Sequence, residues 1–276
     1  MAVEGLDLAC STACFAADAR EEELVALAEA GAKRCEISLP ADEQVKPGHW
    51  TTLLDAAGLR CWSYHVPFGS GWDLSSPDAE TRSRALGASL RAVDLGASLG
   101  AKVLVVHGGA EPVPEGSRAQ HLAAAQDSLH ALADRCQILG RKLALEFLPR
   151  SCPGNSVSEL EYLLSGMDRE VVGVCLDLNH ANLGQDLVTN VLGLAGRIIT
   201  IHVSDNDGVD ERHWLPGQGI IDWPSAVAAL VRAGYTGPFL YESGRDKEGA
   251  AVTAQRLQRN YDEMIAPHLQ EVVAVG

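Results

Sequence analysis

The chain has 276 residues, of which 46% are hydrophobic and 21% charged, so it can bury a large core, and wholesale disorder is excluded. Its 37 acidic and 22 basic residues give a formal net charge of -15, which disfavours nucleic acid and anionic membranes as partners. No apolar run approaches the roughly 20 residues that cross a bilayer, and the first residues lack a signal-peptide pattern. We therefore expect a cytoplasmic protein. A homo-oligomer is left open.

Eight short apolar segments have the length and composition of β-strands. Most lack alternation between apolar and polar residues, as expected for strands that are covered on both faces. They lie near residues 6–11, 35–39, 60–66, 103–107, 143–147, 172–177, 198–203 and 238–242. Amphipathic stretches typical of helices lie between several of them, at residues 21–32, 78–100, 117–140 and 222–233. This alternation predicts an α/β fold with a parallel sheet.

The number of strand–helix units helps to distinguish between two candidate α/β folds. Eight units match a (β/α)8 TIM barrel, whose usual length is about 250 residues. The alternative is a doubly wound open sheet, which favours a GxGxxG turn after the first strand. The segment LACSTACFAAD at that place contains no such turn. Because no low-complexity linker interrupts the chain, we predict a single TIM-barrel domain over residues 1–276.

A polar residue ends each of the last four predicted strands. These residues are Glu146 in LALEF, Asp177 in VVGVCLDLNH, His202 in RIITIHVSD and Glu242 in GPFLYES. The carboxyl ends of the strands of a TIM barrel meet at one face, where the active site lies. Buried carboxylates are costly unless they are paired or bind a metal. The four residues therefore predict a divalent cation site, for which Mn²⁺ is the first candidate and Mg²⁺, Co²⁺ and Zn²⁺ are alternatives.

Further polar residues lie at the ends of other predicted strands or just beyond them. They are Glu36, His65, His107 and His180. A single residue of this kind is usually structural, but His65 and His107 repeat one position on neighbouring strands. His180 follows the candidate ligand Asp177 by three residues. We expect these residues to bind substrate, although Glu36 is equally compatible with a buried polar partner.

A long loop, SDNDGVDERHWLPGQG, follows the seventh strand. Gly208, Gly217 and Gly219 allow unusual backbone torsions in it, and loops of this length in a compact domain are usually functional. We expect the loop to cover the metal and to bring His213 to the substrate, with Arg212 beside it as a further contact. A plain surface turn is the alternative.

The order of these motifs along the chain resembles that of the xylose isomerase-like TIM barrel superfamily. This superfamily includes sugar isomerases, ketose epimerases, inosose dehydratases and endonuclease IV. The resemblance covers nearly the whole chain, from HVPFG through VVHGG, ALEF, CLDLNHANLG, HVSDNDG and LPGQGIIDW to GYTGPFLYE. It implies a substrate contact for His180. It also implies that the metal is held by Glu146, Asp177, His202 and Glu242.

The metal site and the resemblance together predict a metal-dependent isomerase or epimerase that acts on a sugar or polyol-derived carbonyl compound. Glu146 and Glu242 would exchange a proton at the carbon beside the carbonyl, through an enediolate. If the substrate carries a leaving group β to the carbonyl, the same enediolate makes the enzyme a lyase. An inosose dehydratase or a keto-glycoside-cleaving enzyme would be of this kind.

This chain differs from two members of the superfamily, the ketose 3-epimerases and endonuclease IV, and the differences bear on its activity. Ketose 3-epimerases carry an arginine where this chain has His213, which argues against 3-epimerisation of free ketoses. Endonuclease IV binds three metals through nine ligands, and matching residues are present, with Glu211 in place of its aspartate. The net charge of -15 and the lack of basic loops at the strand ends argue against an abasic-site nuclease. A noncatalytic binding barrel remains a further alternative.

Overall fold

Eight strands form the centre of the computed structural model, which describes residues 5–40 and 46–275. The strands are β1 (Leu8–Ser11), β2 (Arg34–Ser38), β3 (Arg60–His65), β4 (Val103–Val106), β5 (Lys142–Glu146), β6 (Val172–Asp177), β7 (Ile198–His202) and β8 (Phe239–Tyr241). Each strand falls on one of the segments predicted from the sequence. Short, mainly apolar segments therefore located these strands, because most of their residues are buried.

All neighbouring strands of the sheet run parallel, in the order β7-β6-β5-β4-β3-β2-β1-β8. At the seam, Val203 bridges to Tyr241, and the N–H of Glu242 donates to the carbonyl of Val203 at 3.1 Å. These contacts join the two ends of the sheet into a nearly closed barrel. The prediction of an α/β TIM barrel is confirmed.

Helices surround the barrel. They are α1 (Arg20–Glu29), α2 (Pro47–Ala57), α3 (Ala79–Ser98), α4 (Arg118–Leu139), α5 (Val157–Leu163), α6 (Leu178–Asn182), α7 (Leu187–Gly193), α8 (Trp223–Arg232), α9 (Ala254–Met264) and α10 (Ala266–Val275). Asp222 caps α8 by accepting from the N–H of Ser225 at 3.3 Å. Among the described residues, none of the helices has the length and apolarity needed to span a membrane.

The interior of the barrel is filled by small side chains. Val103, Val105, Ala144 and Cys175 form one buried cluster inside the sheet, while the larger outward-facing side chains pack against the helices. Helix α3 lies so close to the sheet that a Cβ on Gly96 would come within 2.6 Å of Leu104. The polar residues at the carboxyl ends of the strands therefore rest on a packed interior.

Candidate active site

The four residues predicted to bind a metal lie together at the carboxyl end of the barrel. Their candidate ligand atoms all lie within 4.8 Å of one another. Nδ1 of His202 is 3.2 Å from Oε1 of Glu146 and 3.2 Å from Oε2 of Glu242. It lies 3.8 Å from Oδ2 of Asp177. Neighbouring parallel strands end side by side here, and their last residues are therefore brought into one group, which we call the quartet.

The quartet fits a divalent cation. Asp177 is fully buried, and its Oδ2 has no hydrogen-bond partner. A buried carboxylate oxygen without a partner is costly, and a cation would remove that cost. Three carboxylates and one imidazole also form the mixed oxygen and nitrogen set that Mn²⁺, Mg²⁺ and Co²⁺ accept.

Protonated histidines balance the carboxylates of the quartet when no cation is bound. Although burial opposes the charged form, neighbouring anionic groups raise the pKa of His202 well above its usual value. Burial alone would raise the pKa of Glu146, but His202 and His107 hold it well below its usual range. For Glu242, the charge of His202 outweighs burial and lowers the pKa to about 2. A cation would thus replace protons as the counter-charge.

Metal binding should therefore strengthen as the pH rises through the neutral range. Metal-free protein carries a proton on His202, whose pKa is raised, and only the neutral imidazole binds a cation. For each proton released, the apparent affinity should fall by about tenfold per pH unit below the pKa. Calorimetric titration with Mn²⁺ over a series of pH values would measure this slope. An affinity that does not change with pH would contradict it.

His65 and His107 lie on one side of the quartet, against Glu146. Their Nε2 atoms are 3.0 Å and 3.1 Å from Oε2 of that glutamate, and Nδ1 of His65 donates to the carbonyl of Val66 at 2.9 Å. Burial opposes protonation of His65, but the hydrogen bond with Glu146 raises its pKa to about 9. Burial lowers the pKa of His107. Together the two rings hold one oxygen of Glu146 in a fixed position.

His180 and His213 lie on the other side of the quartet. There Glu211, a residue of the β7–α8 loop, faces the barrel. Nε2 of His180 is 2.9 Å from Oε2 of Glu211, and Nδ1 of His180 donates to the carbonyl of Phe147 at 3.1 Å. Nδ1 of His213 donates to the carbonyl of Glu242 at 3.1 Å. His213 has a left-handed backbone, with φ of 49°. The loop thus places His213 at the wall of the site.

The quartet lies beneath a cavity of about 540 Å³. Its walls include His65, His107, His180 and His213, together with apolar side chains such as Phe68 and Leu148. Phe68 is 56% exposed, and its ring stacks on His107 with a centroid distance of 4.2 Å. A cavity with carboxylates and imidazoles at its base and an aromatic ring at its wall suits a small polyhydroxylated molecule.

Arg150 is a residue of the cavity wall that the sequence analysis did not single out. Its guanidinium lies 2.6 Å from Glu211 and 3.1 Å from Asp210, and it also pairs with Glu111. It therefore ties the loops after β4, β5 and β7 to one another. The available signal was its position four residues after Glu146, because that places it just beyond the end of β5.

Two residues predicted to bind substrate do not line the cavity. Glu36 is fully buried, accepts from Oγ of Ser63 at 2.8 Å and lies 3.4 Å from Nε2 of His202. It stands inside β2 rather than at its end, so it lies one layer below the quartet as a buried polar partner. Arg212 is exposed and pairs with Asp207 at 2.8 Å, which directs it away from the cavity. Direct substrate contact by either residue stays a prediction.

This chain matches one protein family and is similar to individual members of known activity. The model of the family described as xylose isomerase-like TIM barrel matches residues 24–262. A ketose 3-epimerase from Arthrobacter globiformis is 30% identical over 176 residues, covering 62% of this chain and 59% of that protein. An inosose dehydratase from Geobacillus kaustophilus (strain HTA426) is 27% identical over 162 residues, covering 52% of each. The chain thus spans little more than half of each relative.

The fold is also found in solved structures. The crystal structure of a D-tagatose 3-epimerase-like protein superimposes with a TM-score of 0.82 at 21% identity and covers 98% of this chain and 99% of that one. At this level of identity the likeness shows the common fold alone.

Proposed function

This chain belongs to the xylose isomerase-like TIM barrel family, and on that premise we propose that it is a divalent-metal-dependent sugar isomerase or epimerase. The observation that carries the proposal is the quartet, whose candidate ligand atoms lie within 4.8 Å of one another below a cavity of about 540 Å³. The ketose 3-epimerase among its relatives supports a carbohydrate substrate.

Glu146 and Glu242 are the proposed acid and base. A cation held by the quartet would supply Lewis-acid chemistry, because it polarises a carbonyl and acidifies the neighbouring carbon. One carboxylate removes the proton from that carbon, and the other carboxylate returns a proton to the resulting enediolate. Glu146 and Glu242 both line the cavity and approach Nδ1 of His202 from different strands, each at 3.2 Å. Their placement allows proton exchange on two sides of one carbon.

The remaining polar residues of the cavity would orient the substrate and limit access of water. His65 and His107 hold Oε2 of Glu146. The other oxygen, Oε1, faces His202 of the quartet. On the opposite side, His213 donates through Nδ1 to the carbonyl of Glu242, so its Nε2 would accept a hydrogen bond from a substrate hydroxyl, while His180 holds Glu211 in place. The loop that Arg150 ties down would shield an enediolate from uncontrolled protonation.

A lyase is the second candidate, and the relative named inosose dehydratase favours it. The first step, removal of a proton beside a carbonyl, is the same. A substrate with a leaving group β to the carbonyl would then lose that group instead of regaining the proton. The difference lies in the substrate, and only the products distinguish the two activities.

Hydrogen–deuterium exchange tests both candidates at once. The Mn²⁺-loaded protein would be incubated in D₂O with free ketoses, inososes and 3-keto-glycosides, and NMR would follow the carbon-bound hydrogens. We expect deuterium at one carbon beside the carbonyl, with an epimer or isomer as the product, or with loss of a substituent if the protein is a lyase. The variant Glu146→Gln is the control for background exchange.

Absence of protein-dependent exchange with every carbonyl sugar would overturn the proposal. A duplex containing an abasic site should be included in the panel, because strand cleavage would promote the nuclease alternative. The acidic balance of 37 Asp and Glu against 22 Lys and Arg leads us to expect no cleavage and no tight, salt-sensitive binding of the duplex.

Replacement of His213 by Asn should lower kcat/KM while the metal stays bound. Asn tolerates the left-handed backbone of this position, so the change removes the imidazole without straining the loop. Loss of a hydrogen bond to the substrate should cost about 10–100-fold in kcat/KM. Steady-state kinetics and elemental analysis would measure the two effects.

Val209→Ala is the matched control, because Val209 lies in the same loop, is exposed and does not line the cavity. We expect it to keep kcat/KM within a few-fold of the wild type. If His213→Asn also leaves kcat/KM unchanged, the loop has a structural role only. If His213→Asn loses a stoichiometric metal ion, His213 is itself a ligand.

A further inference from the structure

Five turns at the amino end of the barrel share one sequence pattern. Each has a glycine with a positive φ, followed within three residues by Lys or Arg at the start of a strand. The segments are GAKR before β2, GLR before β3, GAK before β4, GRK before β5 and GR before β7, and their glycines have φ between 63° and 111°. Each glycine lies at or shortly after the end of the preceding helix. The turns therefore place a ring of cations at the end of the barrel opposite the quartet.

Part of this ring surrounds a cavity of about 300 Å³, which we call the basal cavity. Its lining includes Lys33, Arg34, Arg60, Trp62 and Lys102, with Asp7 as the one carboxylate among the described lining residues. The N–H of Arg60 donates to the carbonyl of Lys33, and that of Lys102 donates to the carbonyl of Trp62, each at 3.0 Å. Hydrogen bonding between neighbouring strands thus fixes these cations side by side.

Most of these charges lack a counter-charge. Arg34 pairs with Asp7 and lies over the ring of Trp62 at 5.1 Å. Within residues 5–40 and 46–275, Lys33, Arg60 and Lys102 form no ion pair with a carboxylate. Burial, together with the charge of Arg60, lowers the pKa of Arg34. In a chain with 37 acidic and only 22 basic residues, such a concentration of unpaired cations around one cavity is unusual.

The chemistry of the basal cavity indicates the kind of ligand. Arginine and lysine together are the side chains that bind phosphate groups. The volume of about 300 Å³ suits a small molecule, and the net charge of -15 repels a long polyanion. Arg34 already covers the ring of Trp62, so a ligand would be recognised by its anionic group and not by stacking of an aromatic base.

We propose that the basal cavity is a binding site for the phosphate group of a small molecule, separate from the quartet. The cavity and the quartet lie at opposite ends of the strands, because the cavity residues stand at strand starts and the quartet at strand ends. A ligand there would leave the sugar site free. The proposal does not depend on the proposed isomerase activity.

Calorimetric titration of the metal-loaded protein with inorganic phosphate and with glycerol 3-phosphate tests the proposal. We expect saturable binding of at least one of them, and the tighter of the two shows whether a free or an esterified phosphate is preferred. The double variant Arg60→Gln, Lys102→Gln should weaken binding by at least about tenfold, because charged hydrogen bonds are lost. Lys33→Gln is a milder variant in case the double variant does not fold.

Arg245→Gln is the matched control, since it removes one exposed cation that follows β8 at the opposite end of the barrel. It should bind both probes as the wild type does. The proposal is overturned if neither probe binds saturably, if sodium chloride at equal ionic strength gives the same response, or if the basal variants bind as tightly as the wild type. Loss of binding in Arg245→Gln would also overturn the proposal, because it would locate the phosphate site at the end of the barrel that carries the quartet.

Discussion

Removal of the divalent cation is expected to abolish turnover and to lower the thermal stability of the protein. The quartet gathers three carboxylates with little exposure to solvent, and Oδ2 of Asp177 has no hydrogen-bond partner. A cation at 100 times its dissociation constant stabilises the folded state by about 2.7 kcal/mol. Its loss should lower Tm by roughly 5–10 °C in a chain of this size.

Differential scanning fluorimetry before and after chelation, with Mn²⁺ added back, would measure this shift. Asp177→Asn is the informative variant, because it removes one charged ligand and leaves the volume of the side chain almost unchanged. It should bind the cation more weakly and respond less to the chelator than the wild type. Elemental analysis that finds no divalent metal in active, dialysed protein would rule out the metal site.

Glu146→Gln and Glu242→Gln should each lower kcat by about 10²–10⁴-fold, which is the usual contribution of general acid–base catalysis. The amide keeps the shape of the side chain but cannot take up a proton at neutral pH. Both side chains line the cavity at the quartet, so both stand where a substrate carbon would lie. Steady-state kinetics with the substrate found by the exchange experiment would give kcat for each variant.

The two variants should differ in metal content. Glu146 has four histidine neighbours, His65, His107, His180 and His202. The side chain of Glu242, by contrast, is 16% exposed and lies close to His202. Glu242→Gln should therefore disturb the site less and retain more metal, which isolates the loss of proton transfer. Glu115→Gln, on a turn outside the cavity, is the matched control. A variant of either glutamate with near wild-type kcat would show that this residue is not the acid or base.

The amino-acid sequence by itself determined the strands and which residues end them. Strands covered on both faces need unbroken apolar runs, and those runs are visible without any structure. Glu146, Asp177 and His202 are the last residues of β5, β6 and β7. In a parallel barrel the strand ends converge, and placing a residue at such an end is enough to predict its neighbours. The quartet could be proposed for this reason.

Other features were decided by the tertiary structure. Glu36 was assigned to the substrate site, but its place inside β2 sets it one layer below the quartet, beside His202. The partners of Arg150 are 39 to 61 residues away along the chain, and no local pattern predicts which loops will meet. The basal cavity likewise exists because parallel pairing of β2, β3 and β4 places the starts of these strands side by side. Depth within a barrel and contacts between loops depend on strand register and closure, and these are properties of the whole sheet.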